Sequence, residues 1–134
     1  MDRAFDYIQG NGITTGDAYP YLGSKQACKT TGGAYTVTGH VSTGQGSVNV
    51  QNALNLRPLS VAVDANGWSA YKGGVFRNGC GTSINHGVLL VGYTTEGNWV
   101  IKNSWGQRWG DNGYITLAAG NTCAVTDYAS YPLV

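Results

Sequence analysis

The sequence predicts a β-rich α+β domain, a mostly antiparallel sheet or barrel with one or two helices on its side. Three observations carry this. Charged residues are 11% of the 134 positions, against about a quarter in ordinary globular chains. Gly is abundant at 21 residues and is joined by nine Tyr and four Trp. The second half also falls into short apolar runs divided by Gly and Asn turns, the pattern of strands at close spacing. The length suits one domain over residues 1–134 with a real core.

Taken in order, "MDRAFDYIQGNG" reads as an amphipathic helix with Ala4, Phe5 and Ile8 on one face and Gly10 to Gly12 as its stop. No capping segment precedes it, so the expectation is a chain that begins inside a longer protein. Residues 14–47 are rich in Gly, Ser, Thr and Pro punctuation and predict long surface loops, with one short strand at "AYTVTGHV". In "SVNVQNALNL", Val50, Ala53 and Leu54 have helical spacing, and Pro58 ends the element. "PLSVAVDA" alternates Leu59, Val61 and Val63 with smaller residues, as a strand does. After the turn-rich "NGWSAYKGGVFRNGCG" come four strand candidates: "INHGVLLVGY", "NWVIKNSW", "GYITLAA" and "TDYASYPLV". There is no internal repeat.

Charge excludes some functions. The net charge is +1 and the basic residues are scattered, which argues against a nucleic-acid surface or a polybasic membrane patch. No apolar run approaches the length of a membrane span, and no signal-peptide pattern opens the chain. Cys28, Cys80 and Cys123 form no C-x-x-C pair, so neither a zinc site nor a thioredoxin-type redox site is expected. No metal or other cofactor is implied. An odd count leaves one thiol over if two pair, as a reactive nucleophile, an interchain bond or a cysteine whose partner lies elsewhere.

His86 interrupts a run that otherwise reads as a buried strand, and Asn103 follows 17 residues later (103 − 86) in another such run. Alone, each is ordinary; a histidine among Ile84, Val88, Leu89 and Leu90 reads equally well as a hydrogen-bonded core residue. Together they fit acyl-transfer chemistry, in which a Cys thiolate works with a His base and a third group orients the imidazole. A neutral amide suits that third role, because a thiolate–imidazolium pair is already favourable. Trp105, two residues beyond Asn103 and on the same strand face, is placed to cover their hydrogen bond.

With "YPY" at 19–21, the strings "INHGVLLVGY" and "WVIKNSWGQRWGDNGYI" resemble the papain-like cysteine proteases, the cathepsin L, K and S type especially. NSWG-x-x-WG-x-NGY is long and idiosyncratic, and the resemblance covers essentially the whole chain. It implies the antiparallel, β-barrel-like right-hand domain of that fold, with His86 as catalytic base, Asn103 as its orienting partner and Trp105 as their shield. It further implies that Trp109 belongs to the primed-side wall and that the Asn85 carbonyl accepts a hydrogen bond from substrate. Ala62, Ile84, Asn85 and Tyr128, with Met1 on the wall, would surround the pocket for the residue second before the cut. Small Ala62 and apolar Ile84 suggest Leu-, Val- or Phe-like side chains there. Ala62 and Ile84 are also what any strand core contains.

The departure from the family pattern is large. The C-G-S-C-[FW] segment with the nucleophile, and the oxyanion-hole Gln before it, are absent from these residues. The chain therefore resembles the carboxy-terminal half of such an endopeptidase, without the amino-terminal helical half. The resemblance pairs Cys80 with Cys123 and leaves Cys28 unpaired, its family partner lying in the other half. It implies a peptide or protein substrate, a lysosomal, vacuolar or secreted location, and no activity for the isolated chain. The cleft face so uncovered is expected to favour self-association, or a swap of the opening segment between copies. The alternative reading is a freestanding, non-catalytic module that binds peptides, proteins or itself; a cell-wall amidase type of Cys-His hydrolase fits less well, lacking the NSWG string.

Overall fold

The computed structural model describes residues 1–134, which divide into two compact units. The smaller comprises Asp2–Val41 with Pro132–Val134, and the larger Met1 with Ser42–Tyr131.

In the smaller unit the opening segment is helical, α1 (Asp2–Asn11), as its periodicity predicts. Phe5 and Ile8 are half-buried while Ala4 is exposed. Beyond it, Ile13 and Tyr35 exchange both backbone hydrogen bonds, at 2.7 and 3.1 Å. That close pass requires Gly33, where a Cβ would fall on the Ile13 backbone. Side chains tie the unit together: Tyr7 Oη donates to Thr31 O, and Thr36 Oγ1 to Ile8 O. The strand expected over "AYTVTGHV" is shorter and later, β1 (Gly39–Ser42), because the Thr36 hydroxyl is spent on the end of α1 rather than on a sheet face.

The larger unit holds α2 (Ser47–Leu54), β2 (Leu59–Val63), β3 (Val75–Phe76), β4 (His86–Tyr93), β5 (Trp99–Lys102), β6 (Tyr114–Leu117) and β7 (Ala129–Leu133), whose last two residues fall to the smaller unit. Strand order is β7-β2-β4-β5-β6-β3. All neighbours are antiparallel except β3 and β6, a short parallel edge pair in which Val75 faces Thr116. The prediction of a largely antiparallel sheet holds, with β3 the addition that a two-residue strand could not announce.

The alternation in β2 is literal: Leu59, Val61 and Val63 are fully buried, Ser60 and Ala62 half-buried. With Leu90, Ile101, Ile115 and Leu117 from the neighbouring strands they form one core face, closed by Val50 and Leu54 of α2. Each such side chain contributes about 1.5–3 kcal/mol through burial. Trp99 is buried among them and satisfies its indole N–H on Gly120 O at 2.8 Å. The Cys80–Cys123 disulfide is formed and joins the loop before β4 to the turn before β7.

Candidate active site

His86 is the first residue of β4 and pairs across the sheet with Val63, so its side chain leaves on the core side. Asn103 follows directly after β5. Leu89 faces Lys102, which puts Val88 opposite Asn103 and His86 diagonally beyond it on the same face. The two side chains close that diagonal: His86 Nε2 lies 2.8 Å from Asn103 Oδ1.

The proton on this bond can be assigned from the surroundings. The Ser104 backbone N–H donates to the same Oδ1 at 2.8 Å, so that atom must be the amide oxygen. An oxygen accepts, hence Nε2 carries the hydrogen in both the neutral and the charged ring. In the neutral ring the lone pair is then on Nδ1, which has no hydrogen bond within the chain.

Aromatic rings enclose the pair. Trp105 stacks on His86, with centroids 5.1 Å apart at 26°, and Trp109 meets Trp105 edge-on at 5.0 Å. Trp105 does this from the turn after β5, not from a shared strand face as its spacing suggested, since β5 ends at Lys102. Its outer surface is open, at 43% exposure, while Asn103 is buried.

Sequence reasoning missed the centre of this cluster. Trp68 is fully buried, stands edge-on to His86 at 6.1 Å and stacks with Trp109 at 6.2 Å. Its carbonyl accepts the Trp109 indole N–H at 3.1 Å. The one available signal was a Trp inside "NGWSAYKGG", a stretch whose turn residues pointed to surface loop. Two buried donors here, Trp68 Nε1 and Asn103 Nδ2, meet no acceptor from the protein.

The residues expected around the specificity pocket are scattered over one neighbourhood. Ala62 pairs with Gly87, the residue after His86, and donates its N–H to Tyr128 O at 3.0 Å. Ile84 and Tyr128 are exposed. The Asn85 N–H bonds Val63 O, and its side-chain oxygen accepts the Ala65 N–H at 2.9 Å. Met1 borders a groove of about 460 Å³ with Ser60, Gly87, Leu89, Lys102 and Asn103; Ala62, Ile84, Asn85 and Tyr128 do not line it. Of the cysteines, Cys80 and Cys123 are bonded to each other, and Cys28 is a free, exposed residue of the smaller unit. No group of three or more His, Cys, Asp or Glu is arranged to hold a metal ion.

A sheet that delivers a histidine and an asparagine into hydrogen-bond contact beneath tryptophans has relatives. The model of the papain family cysteine proteases matches residues 1–133. "Cathepsin L 2" of Paramecium tetraurelia is 41% identical over 141 residues, covering 100% of this chain and 43% of the relative. "Oryzain gamma chain" of Oryza sativa subsp. japonica is 44% identical over 146 residues, covering 98% and 40%. Among solved structures, the bromelain protease of Ananas comosus in complex with the E64 inhibitor superposes with a TM-score of 0.88 at 36% identity, covering 99% of this chain and 68% of that one. Digestive procathepsin L 3 of the Tenebrio molitor larval midgut gives 0.90 at 36%, covering 100% and 48%. The chain belongs to the papain family of cysteine proteases. It spans about two fifths of the length of the curated relatives it matches.

Proposed function

We propose that this chain is the carboxy-terminal part of a papain-like cysteine endopeptidase, to which it brings the base His86 and its orienting partner Asn103. The observation that carries this reading is the 2.8 Å contact from His86 Nε2 to Asn103 Oδ1, with the oxygen identified by the Ser104 N–H. It leaves Nδ1 as the working nitrogen. In such chemistry Nδ1 holds the proton taken from the thiol, and the resulting thiolate attacks the substrate carbonyl. Nδ1 then gives that proton to the departing amine. It next removes a proton from the water that cleaves the acyl-enzyme, and returns it to the thiol as the product acid leaves. Throughout, the Nε2–H stays on Asn103, so the ring does not turn between steps.

The thiolate comes from a segment outside residues 1–134. Cys80 and Cys123 have no thiol to offer, and free, exposed Cys28 matches a family cysteine whose disulfide partner lies in the other half. Residues 1–134 alone are therefore inactive. Trp109 contributes to the wall on the leaving side, Trp105 shields the His86–Asn103 bond, and Met1, Ala62, Ile84, Asn85 and Tyr128 bear on substrate selection. The disulfide fits an oxidising compartment, whether lysosomal, vacuolar or extracellular.

The test is hydrolysis of a fluorogenic peptide with an apolar residue second from the cut, with and without an epoxide that alkylates catalytic thiols. Residues 1–134 alone should give no turnover. Adding an amino-terminal helical half that carries the nucleophile should give epoxide-sensitive turnover, lost in His86→Ala. Turnover by the chain alone, blocked by an adduct on Cys28, would overturn the assignment.

A second reading has its own support. Ser60, Leu89, Lys102 and Tyr114 face one another in register on the side of the sheet away from the core. Leu89 and Tyr114 are more than a third exposed, the latter at 36%. Such a surface suits association with the helical half or, in its absence, with a second copy. Sedimentation that stays monomeric at high concentration would argue against self-association.

A further inference from the structure

We propose that Asp64 is a positioning residue for His86, its buried carboxylate fastening together the two segments that deliver His86 and Trp68. This role in catalysis rests on the function proposed above; the geometry does not.

Asp64 directly follows β2 and is 1% exposed, yet no cationic side chain pairs with it. Its charge is met chiefly by backbone N–H groups, with the Asn66 side chain adding to them. One oxygen accepts the Asn66 N–H at 3.0 Å, and the other accepts those of Gly81 at 2.8 Å and Ser83 at 3.2 Å. Those N–H groups hold the carboxyl below its ordinary range, Asn66 most strongly, against the opposing effect of burial. A buried carboxylate is costly unless so satisfied, and a device of this kind in a β-domain requires an explanation.

The explanation lies in what the two segments carry. Asn66 belongs to the turn that leads into Trp68, whose ring stands edge-on to His86. Gly81 and Ser83 belong to the irregular stretch that leads into His86. The segments touch without side chains between them: a Cβ on Gly67 would lie 2.7 Å from Gly79 O, and one on Gly81 would lie 3.3 Å from the Asp64 carboxylate. Asn85 repeats the link in the other direction, accepting the Ala65 N–H. The β2–β4 ladder thus continues past Val63 and His86 through side-chain oxygens in place of carbonyls. The disulfide secures the same stretch from another side, through Cys80, and the Asp64 N–H bonds Cys123 O at 2.9 Å.

Asp64→Asn keeps the volume but turns an NH₂ toward backbone donors, so at least one N–H loses its acceptor. The readout is nuclear magnetic resonance of the two histidines in the 134-residue chain, with His40, in the smaller unit, as internal control. In the parent chain His86 should show one slowly exchanging Nε2–H and the corresponding tautomer. Asp64→Asn should keep the near-ultraviolet dichroism and the disulfide while the His86 Nε2–H exchanges about tenfold faster or the tautomers mix, the size expected for one hydrogen bond weakened. His40 should not change.

If Asp64→Asn fails to fold, Ser83→Pro deletes one donor at an exposed position and leaves the carboxylate intact; the same change at His86 is expected. An unchanged His86 signal in a folded variant would overturn the proposal. These readouts need no turnover, so they stand or fall apart from the peptidase assignment. In the reconstituted enzyme a positioning role lowers kcat more than it raises KM, whereas a purely structural loss lowers the amount of active enzyme and leaves both constants alone.

Discussion

The Trp68 indole meets the His86 imidazole edge-on at 84°, and the same indole stacks at 27° against Trp109. One fully buried side chain thereby fixes a ring of the proposed catalytic pair and a ring of the proposed cleft wall. Its own N–H finds no acceptor from the protein. Trp68→Phe should therefore be mild: lost ring volume destabilises, while removal of an unsatisfied donor stabilises by about 1–3 kcal/mol. The net change in guanidinium denaturation should stay within about 1 kcal/mol of the parent. Trp68→Ala should cost about 3–5 kcal/mol, the usual size for an emptied aromatic site. A Phe variant as unstable as the Ala variant would show that the N–H is satisfied after all.

Asn103 is expected to act through its oxygen. Asn103→Ala in the reconstituted enzyme removes the acceptor for the His86 Nε2–H, frees the ring and should lower kcat by roughly 10²-fold with little change in KM. Asn103→Asp keeps an acceptor for both His86 and the Ser104 N–H and removes the buried, unpartnered Nδ2. It should lose less. Steady-state kinetics of the two variants separate orientation from bulk, because equal losses would mean that the hydrogen bond is not what matters.

Much of this was legible in the residues, for physical reasons that also explain what was not. Leu59, Val61 and Val63 alternate because one face of β2 is core, and period-2 burial leaves its mark on a sequence directly. His86 and Asn103 stood out because polar residues at the edge of buried strands need a reason to be there. Trp68 and Asp64 gave no such contrast. Trp68 sits in a three-residue helical turn amid Gly, Ser and Asn, where composition points to solvent. Asp64 looks like the polar end of a strand, and only the return of Gly81 and Ser83 from 17 and 19 residues away makes it a buried hub. Burial created by loops folding onto each other has no period, so no pattern announces it. The same holds for Trp105, whose contact with His86 was foreseen but whose route to it, through a turn, was not.

The Cys80–Cys123 bond closes a loop with a sequence separation of 43. By the loop-entropy relation a cross-link of that span stabilises by about 4 kcal/mol. The double variant Cys80→Ser, Cys123→Ser avoids a stray thiol and should lose about that much in guanidinium denaturation. The loss should concentrate where the bond is anchored, so hydrogen exchange should accelerate first around residues 79–86 and 121–126. A uniform acceleration over the larger unit would mean that the bond acts only on the unfolded chain.

Acid should act on the larger unit through Asp64. The folded carboxyl lies below its ordinary value of 3.8, chiefly because of the Asn66 N–H, with Gly81 and Ser83 adding to it. A carboxyl depressed by folding contributes stability that is fully present above the unfolded value. That contribution is lost as pH falls below 3.8 and through the lower folded value. Denaturation midpoints of the parent chain should thus be level with respect to this group from neutrality down to about pH 5 and decline as the pH falls below about 4. Asp64→Asn, with no proton to take up, should start from lower stability and show a shallower decline over the same interval. Parallel curves for parent and variant would mean that Asp64 titrates alike in the folded and unfolded chain, and that its three backbone donors do not favour the charged form.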